Sequence, residues 1–471
     1  MNEKIKILGQ VYTPKSIVND MLDLLGYNSD KILGKHIIDN SCGDGAFLTE
    51  IVERYIKEYK RKNNSLLDIE KDLATYIHGV EIDRSEYLKC IDNLNSVASC
   101  NGVGNVNWDV ICADTLTIDK YDNKMDFVVA NPPYVRTHNL QDNFEKVREF
   151  SFAKNGMTDL FIVFYEIGFN MLNESGKLVY ITPNSFYSSV AGQEFRNYIV
   201  SNGQLYSLVD LGHYQPFKAT AYTTICAFDK NKKSNEFNYS TYSKEGKIEF
   251  QEKLIIKEAF NNGKMVLAKK REQKILKDIQ NYIPTNKDLV QVKNGFATLA
   301  DTVFIKKEFS FASRFIIDVL KASTGEWKKC IFPYDKDKAV SFDSLENELR
   351  EHLVANKKIL EGRSLDKNAE WFAFGRSQAV KDVYKNKIAI NTTIKNVASV
   401  KLQVVASGQG IYSGLYILTG KRFEDVERVI KHQNFIDYIS TIGKCKSGGY
   451  YTFSSNDLKQ YLLYKLEGAN E

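Results

Sequence analysis

The chain has 471 residues, 43% of them hydrophobic and 12% aromatic, which is enough for two or three domains with well-packed cores. Its 7 cysteines are scattered and form no Cys-x-x-Cys pair, so neither a zinc site nor a disulfide framework is expected. No apolar run has the length of a membrane span, and no apolar signal core follows Met1. We therefore expect a cytoplasmic protein with no membrane segment and no metal.

Charge is divided unevenly along the chain. The net charge is +5, but residues 1–230 carry 23 basic and 30 acidic side chains, whereas residues 231–471 have a net charge of +12. This asymmetry predicts an acidic catalytic half and a basic half that meets a polyanion. A lysine-rich solvated surface is the alternative explanation.

The first predicted element is an amphipathic helix over about residues 15–26, with apolar side chains recurring on one face. Thr13 can cap this helix, and Pro14 suits its first turn. An ordinary capped helix is the simplest interpretation of this stretch.

A predicted strand then leads into a glycine-rich turn within residues 36–48. The strand ends at Asp39, and a helix follows the turn to about residue 61. Glycines such as Gly43 let the backbone approach a ligand at the start of that helix. Ser41 stands where the dinucleotide-binding fingerprint has its first glycine, so the turn alone is weak evidence for a nucleotide.

Two further strands are predicted to end in acids. Residues 57–72 are charged and indicate a loop, after which a second strand ends at Glu81. A carboxylate there can bind both hydroxyls of a ribose, while Asp83 can cap the helix predicted over 84–100. The third strand is followed by Asp114, which can accept a hydrogen bond from the amino group of an adenine.

Residues 125–130 are typical of a buried central strand, and the strand stops at Asn131-Pro132-Pro133-Tyr134. The prolines fix φ and end the ladder of hydrogen bonds. The Asn131 amide oxygen and the Pro132 carbonyl can both accept from an exocyclic amine, which favours a tetrahedral nitrogen with a localised lone pair. Tyr134 offers a face on which a base stacks. Attack by that amine nitrogen would then depend on placement and electrostatic preorganisation, without a metal or a general base. A Pro-Pro turn with a packed tyrosine is the alternative interpretation of this stretch.

The remaining elements of the first half complete an α/β pattern. A helix with an aromatic face is predicted over 159–172, a strand over 176–183 and another helix over 184–201. Strands at 204–211 and 221–228 pair as a hairpin. We therefore expect a doubly wound, Rossmann-like sheet with a terminal β-hairpin.

The order of these segments resembles that of the γ-type N6-adenine DNA methyltransferases, class I enzymes of restriction-modification systems that use S-adenosylmethionine. The resemblance covers essentially the whole chain. It implies a catalytic domain at 1–230, a connector and helix at 231–283, and a mixed α+β target-recognition domain at 284–471. The implied function is methyl transfer to the N6 amine of a flipped adenine in a specific double-stranded DNA sequence, by a modification enzyme or an orphan methyltransferase. A separate cognate endonuclease and the oligomeric state stay open.

The resemblance also assigns residues to the cofactor. Glu81 would hold the ribose, Asp114 would accept from the cofactor's adenine, and Ile82 and Phe164 would pack on that adenine. The full set of expected cofactor-binding residues is Tyr12, Thr13, Pro14, Asp39, Ser41, Gly43, Glu81, Ile82, Asp114, Pro133 and Phe164.

The same resemblance places the target base. Asn131, Pro132 and Tyr134 would take the adenine, and Phe217 would press on the flipped base from the hairpin turn. Asn40 replaces the commoner proline of the family, and Ser41 replaces its first glycine. These departures concern the cofactor contacts and not the class of enzyme.

The second half contains stretches that resemble recognition domains of the restriction-associated branch, at 294–305 and 371–378. Arg376, Gln378, Lys444 and Lys446 are candidate base readers, because arginine, glutamine and lysine read guanine and adenine edges in the major groove. Ordinary surface positions are the alternative for these side chains.

Other functions stay open at this point. A protein glutamine-amide methyltransferase also carries Asn-Pro-Pro-Tyr, but such enzymes usually end soon after the hairpin. An RNA base methyltransferase gives no reason for a large carboxyl-terminal domain, and an N4-cytosine enzyme usually has Ser or Asp in place of Asn131. The non-enzymatic alternative is a DNA-binding subunit, against which the acids and Asn131 argue.

Overall fold

The computed structural model describes residues 13–63, 66–135, 144–156, 158–212, 214, 217, 222–243, 245–261, 263–367, 369–446 and 448–468. The chain divides into two compact units, of which the first ends at Lys270 and the second begins at Arg271. None of the described helices is long and apolar enough to cross a membrane.

The first unit alternates strands and helices. Besides short 3-10 turns, its elements are α1 (Lys15–Leu25), β1 (Ile37–Asp39), α2 (Ala46–Asn63), α3 (Ile69–Tyr76), β2 (Ile77–Glu81), α4 (Arg84–Cys100), β3 (Asp109–Cys112), β4 (Met125–Ala130), α5 (Phe144–Arg148), α6 (Leu160–Met171), β5 (Leu172–Pro183), α7 (Gln193–Asn202), β6 (Leu205–Asp210), β7 (Thr223–Asp229), β8 (Glu236–Tyr242), β9 (Ile248–Ile255), β10 (Phe260–Asn261) and β11 (Lys264–Met265).

Strands β1 to β9 form one sheet in the order β3-β2-β1-β4-β5-β7-β6-β8-β9. The strands from β3 to β5 run parallel, and β7 inserts antiparallel between β5 and β6. Parallel strands joined by helices, with a hairpin of β6 and β7, confirm the expected doubly wound sheet. The carboxyl ends of β1 to β4 therefore lie side by side at one edge.

Two hydrophobic cores cover the two faces of this sheet. Neighbouring residues of one strand enter different cores, as with Val128 and Val129 of β4, because side chains alternate between the faces. The first core includes the apolar residues of α6, and the second includes those of α1, α2 and α4. The apolar side chains of α1 that sit three or four residues apart are all buried, and Gly26 ends that helix with φ +78°.

Three local predictions differ from the structure. The N-cap of α1 is Pro14, and its cap involves no side-chain hydrogen bond in the described chain, so the capping role expected for Thr13 is wrong. The charged stretch 57–72 is largely helical, because α2 continues with its charged side chains turned to solvent and α3 buries only Ile69 and Leu73. Within the expected connector at 231–283, β8 and β9 extend the catalytic sheet.

The second unit mixes strands and helices, and many of their apolar residues share a hydrophobic core. Its elements are α8 (Lys270–Asn281), β12 (Val290–Asn294), α9 (Asp301–Phe304), β13 (Ile305–Lys306), β14 (Ile316–Lys321), β15 (Glu326–Ile331), β16 (Tyr334–Asp335), β17 (Lys338–Ala339), α10 (Asn347–Ala355), α11 (Lys357–Glu361), β18 (Lys387–Ile390), β19 (Thr393–Ile394), β20 (Leu402–Val405), β21 (Gly410–Tyr412), β22 (Leu415–Thr419), α12 (Phe423–Ile430), α13 (Gln433–Ile442), β23 (Lys444–Lys446), β24 (Tyr450–Thr452) and α14 (Ser455–Glu467). Two sheets, β12-β22-β18-β20 and β13-β15-β14-β21, both contribute side chains to that core.

Candidate active site at the carboxyl edge of the sheet

Polar side chains gather where four neighbouring strands end. Asp39 is the last residue of β1, Glu81 is the last residue of β2, and Asn131 follows β4 directly. Asp114 comes two residues after β3. Because β3, β2, β1 and β4 are adjacent and parallel, these four positions share one edge, which is where open α/β sheets bind ligands.

Two of these acids are buried, and neither has a basic partner among the described residues. Asp39 is 1% exposed and Glu81 is 7% exposed. Burial, together with the charges of Glu81 and Asp44, raises the pKa of Asp39 to about 8, although the Ser41 N–H donates to it at 3.0 Å. Burial likewise raises the pKa of Glu81. Within the described chain neither carboxylate has a lysine or arginine among the groups that shift its pKa, so the edge favours a cationic ligand.

Glu81 also organises the glycine-rich turn. Its Oε2 accepts from the Gly43 N–H at 2.9 Å, and its Oε1 accepts from the Asp83 N–H at 2.8 Å. A carboxylate has about four acceptor positions, so two remain for the hydroxyls of a ribose. Gly43 has φ +54°, and a Cβ built there meets nothing within 4 Å, which leaves open space over the turn. Ile82 is 53% exposed beside it, an apolar surface suited to a flat ring.

Asn131 is held from two sides by residues distant in sequence. Its Nδ2 donates to the Thr13 hydroxyl at 3.1 Å. The Ser41 hydroxyl donates to its main-chain carbonyl at 3.3 Å. The structure thus brings the Thr-Pro segment, the glycine-rich turn and Asn-Pro-Pro-Tyr into one hydrogen-bonded site.

The two aromatic residues expected at the target base lie together. The rings of Tyr134 and Phe217 are edge to face, with centroids 6.4 Å apart and an interplanar angle of 83°. Burial raises the pKa of the Tyr134 phenol, whose hydroxyl donates to the Ile181 carbonyl at 3.4 Å. Pro132 is buried and Pro133 is half-buried between them and the strand. In this arrangement the rings contact each other, so a base between them requires one ring to move.

The predicted helix cap and the other expected cofactor residues lie as follows. Asp83 caps α4 by accepting from the Ser85 and Glu86 N–H groups, as predicted. Asp114 accepts from the Leu116 N–H at 3.0 Å at the start of a 3-10 turn. Phe164 is buried in α6. Pro14 is the N-cap of α1, and Tyr12 lies outside the described residues.

The sequence did not predict a group of buried hydrogen bonds around Asn40, next to the site. Asn40 is fully buried, and its Nδ2 donates to the Tyr180 hydroxyl on β5 at 2.7 Å. The Thr115 hydroxyl donates to the Asn40 carbonyl at 2.7 Å. These contacts fix the turn after β1 against its neighbours. The one sequence feature that indicates these hydrogen bonds is a polar residue, Asn40, between a buried strand and the glycine-rich turn.

In the second unit, the two stretches singled out from the sequence lie side by side. The Gly375 N–H donates to the Thr298 carbonyl at 3.1 Å, and Ala297 forms an isolated bridge with Arg376. The Arg376 guanidinium donates to the carbonyls of Ser364 and Gly375.

Two of the three remaining candidate base readers are exposed to solvent. Gln378 is exposed, and so is Lys446 in β23. The side chain of Lys444 lies outside the described part. Gly448 and Gly449, both with positive φ, lie between the antiparallel strands β23 and β24.

The part of the chain that forms this edge matches a known protein family. Residues 39–217 match the model of the Eco57I restriction-modification methylases. The chain carries an Eco57I restriction-modification methylase domain. The matched range begins at Asp39 and ends at Phe217, so the methylase domain contains both carboxylates, Asn131 and both aromatic rings.

Individual relatives of this methylase domain extend further along the chain. The chain is 27% identical over 416 residues to the type II methyltransferase M.BstVI of Geobacillus stearothermophilus, covering 77% of the chain and 73% of the relative. It is 24% identical over 375 residues to the enzyme RM.Eco57I of Escherichia coli, covering 65% of the chain and 37% of that enzyme. The chain therefore spans most of one relative and little more than a third of another.

A solved structure shares the fold over most of the chain. The type IIL restriction-modification enzyme MmeI, determined in complex with DNA, matches with a TM-score of 0.61 at 14% identity, over 96% of this chain and 64% of MmeI. At that identity the likeness concerns the fold alone.

S-adenosylmethionine is the cofactor of this methylase domain, and the residues at the edge suit it. The cofactor carries a sulfonium and an ammonium group, which match two buried carboxylates that lack a basic partner in the described chain. The open turn at Gly43 and the exposed Ile82 suit its nucleoside. No cluster of three His, Cys, Asp or Glu side chains that could hold a metal ion occurs among the described residues.

Proposed function

We propose that the chain transfers a methyl group from S-adenosylmethionine to the N6 amine of an adenine in a specific sequence of double-stranded DNA. The observation that carries the proposal is the Asn131 side chain, fixed by Thr13 at the edge that also holds Asp39 and Glu81. A hydrogen-bonding amide on the same edge as acids that suit a cationic methyl donor supports the proposal.

Asn131 and Pro132 would activate the target amine. The N6 lone pair is delocalised into the adenine ring, which makes the amine a poor nucleophile. Two oxygen acceptors out of the ring plane hold its hydrogens so that the nitrogen becomes tetrahedral and the lone pair points at the donor. The effect is one of placement and preorganised dipoles, and it needs no side chain of shifted pKa.

The target adenine would leave the duplex to reach this edge. Extrusion costs a few kcal/mol, which contacts in the pocket must offset. Tyr134 follows the acceptors directly and Phe217 lies against it, so the two rings provide aromatic surface for the base. Opening of this ring pair is the movement that admits the adenine.

The remaining edge residues would bind the cofactor, which supplies an electrophilic methyl group when bound. Glu81 would hold the ribose, with Ile82 and Phe164 against the adenine and Asp114 accepting from its amino group. Asp39 would face the charged end. Ser41, Gly43, Pro14 and Pro133 would complete the wall of the site, together with Tyr12, outside the described residues.

The second unit would recognise the DNA sequence. Residues 271–471 carry 32 basic and 24 acidic side chains, a net charge of +8 that favours a polyanion. Arg376, Gln378, Lys444 and Lys446 stay the candidate base readers. The relatives that the chain matches over much of its length are named type II methyltransferases, so the activity fits the modification enzyme of a restriction-modification system.

The Asn131→Ala variant tests the proposal. It removes an acceptor that acts mainly in the transition state, so we expect the single-turnover rate of methyl transfer to fall about 100-fold or more while cofactor affinity stays close to wild type. Rates are measured with tritiated S-adenosylmethionine on unmodified DNA amplified in vitro, and affinity by calorimetry. A rate within about tenfold of wild type would contradict the mechanism.

A further inference from the structure

The Thr13 hydroxyl has a long-range partner instead of the local one its position suggests. Thr13 precedes Pro14 at the start of α1, where a threonine commonly caps the helix. In the described chain no side chain caps α1. Thr13 is only 9% exposed, and its hydroxyl accepts from Nδ2 of Asn131, 118 residues away. The contact therefore serves Asn131 and not the helix.

The orientation of the Asn131 amide decides what it can do. The last side-chain torsion of asparagine is broad and nearly two-fold, so the amide turns easily by half a turn. One of its ends is an acceptor and the other is a double donor. Only the oxygen can accept from an amine, whereas the NH₂ group would oppose the hydrogens of that amine.

We propose that Thr13 is a positioning residue for methyl transfer. By accepting from Nδ2, it keeps the NH₂ end of Asn131 on its own side, so the oxygen is the end presented to the target amine. The Ser41 hydroxyl supports this arrangement, because it donates to the Asn131 carbonyl at 3.3 Å and fixes the backbone that carries the amide. The inference rests on the proposed function, in which the Asn131 oxygen is the acceptor.

Burial of Thr13 increases the energetic importance of this hydrogen bond. An NH₂ group that loses one of its acceptors loses part of the hydrogen bonding that fixes its orientation, so the amide is freer to turn. Valine has nearly the shape of threonine but no acceptor. Thr13→Val therefore removes the hydrogen bond with little change in packing, and Thr13→Ser keeps it.

This role differs from the cofactor contact that the family resemblance assigns to Thr13. Loss of a cofactor contact weakens cofactor binding and leaves the rate at saturation unchanged. Loss of a positioning contact lowers the rate at saturation and leaves cofactor affinity unchanged. The two roles are thus separated by measuring both quantities on the same variants.

The experiment compares wild type, Thr13→Val, Thr13→Ser, Asn131→Ala and the Thr13→Val/Asn131→Ala double variant of the full chain. Single-turnover methyl transfer is followed with saturating S-adenosylmethionine on bacterial genomic DNA amplified in vitro, and S-adenosylmethionine affinity by calorimetry. We expect Thr13→Val to be slower by about 10- to 100-fold with cofactor affinity within about threefold of wild type, and Thr13→Ser to stay within about threefold in rate. The double variant should be no slower than Asn131→Ala, because both changes remove the same function.

Two results would overturn the positioning role. One is a Thr13→Val rate within about threefold of wild type, and the other is a cofactor affinity about tenfold weaker with an unchanged rate at saturation. In either case an inactive Asn131→Ala leaves the proposed function standing. A fully active Asn131→Ala would instead overturn the proposed function itself.

Discussion

The acidic residues at the two edges of the catalytic sheet differ in whether basic side chains pair with them. At the amino edge of the strands, His78 and Lys120 both donate to Asp109, and Lys35 pairs with Asp126 at 3.0 Å. Burial alone would raise the pKa of Asp109, but the hydrogen bonds from His78 and Lys120 outweigh it and lower the pKa to about 2. At this edge the acids have partners within the chain.

At the carboxyl edge of the same strands, Asp39 and Glu81 have no basic partner in the described chain. Asp39 and Glu81 are more buried than Asp109, and the pKa of each is raised. Charge that is buried and not compensated costs stability, so it indicates a ligand that compensates it. We therefore expect the paired edge to stabilise the fold and the unpaired edge to bind the cofactor.

The largest expected effect comes from neutralising the unpaired edge. Glu81→Gln removes a charged acceptor for the cofactor ribose while keeping an amide oxygen for the turn. We expect cofactor affinity to fall about 10- to 100-fold, from the loss of one or two charged hydrogen bonds. Calorimetry with S-adenosylmethionine measures it, with Asp109→Asn as the matched control at the other edge. Equal affinities of Glu81→Gln and wild type would remove the distinction between the edges.

Neutralising the paired edge should act on stability instead. Asp109→Asn breaks hydrogen bonds with His78 and Lys120, and we expect the unfolding free energy to fall by about 1–3 kcal/mol. Because the pKa of Asp109 is lowered to about 2 on folding, its contribution is present above pH 4 and is lost as pH falls towards 2. Denaturant titrations at pH 7 and pH 3 measure the difference, which should shrink at pH 3. A constant difference would contradict this assignment.

The smallest expected effect is the pH dependence of cofactor affinity. Asp39, with its pKa raised to about 8, is protonated at pH 6 in the free protein, and a cationic cofactor favours the ionised form. Affinity should therefore rise by about tenfold between pH 6 and 8 in wild type. Asp39→Asn, compared in the same buffers by calorimetry, should remove most of this rise. An identical rise in both proteins would contradict the assignment of the pH dependence to Asp39.

The raised pKa of Asp39 also sets the sign of a stability effect. A raised pKa in the folded state means that Asp39 holds a proton that the unfolded chain releases between about pH 4 and 8. Stability from this group falls as pH rises through that window. Asp39→Asn should therefore gain stability relative to wild type at pH 8, in contrast to Asp109→Asn at the other edge.

Much of the fold and of the site could be predicted from local signals. Strand β4 and helix α4 have the predicted bounds, because an apolar run before two prolines and a cap at Asp83 are strong signals. Strands β8 and β9 were missed, since they keep a polar face at the edge of the sheet and their alternation is diluted by charge. The helix at residues 69–76 was missed because only two apolar residues mark its buried face.

The partners inside the site were beyond prediction from the sequence. The segment carrying Thr13 and the segment carrying Asn131 were both recognised, but nothing in either sequence indicates that Nδ2 donates to that hydroxyl. The raised pKa of Asp39 likewise depends on burial by several elements at once. Such contacts follow from the tertiary fold and not from local patterns.

In the proposed reaction, this edge directs a methyl group onto adenine N6. Its most direct test incubates the full chain with S-adenosylmethionine and unmodified DNA amplified in vitro, digests the DNA to nucleosides and identifies methylated products by mass spectrometry. We predict N6-methyldeoxyadenosine in wild type and none with Asn131→Ala. Methylated cytosine as the product, or no methylated nucleoside in DNA from wild type, would contradict the account.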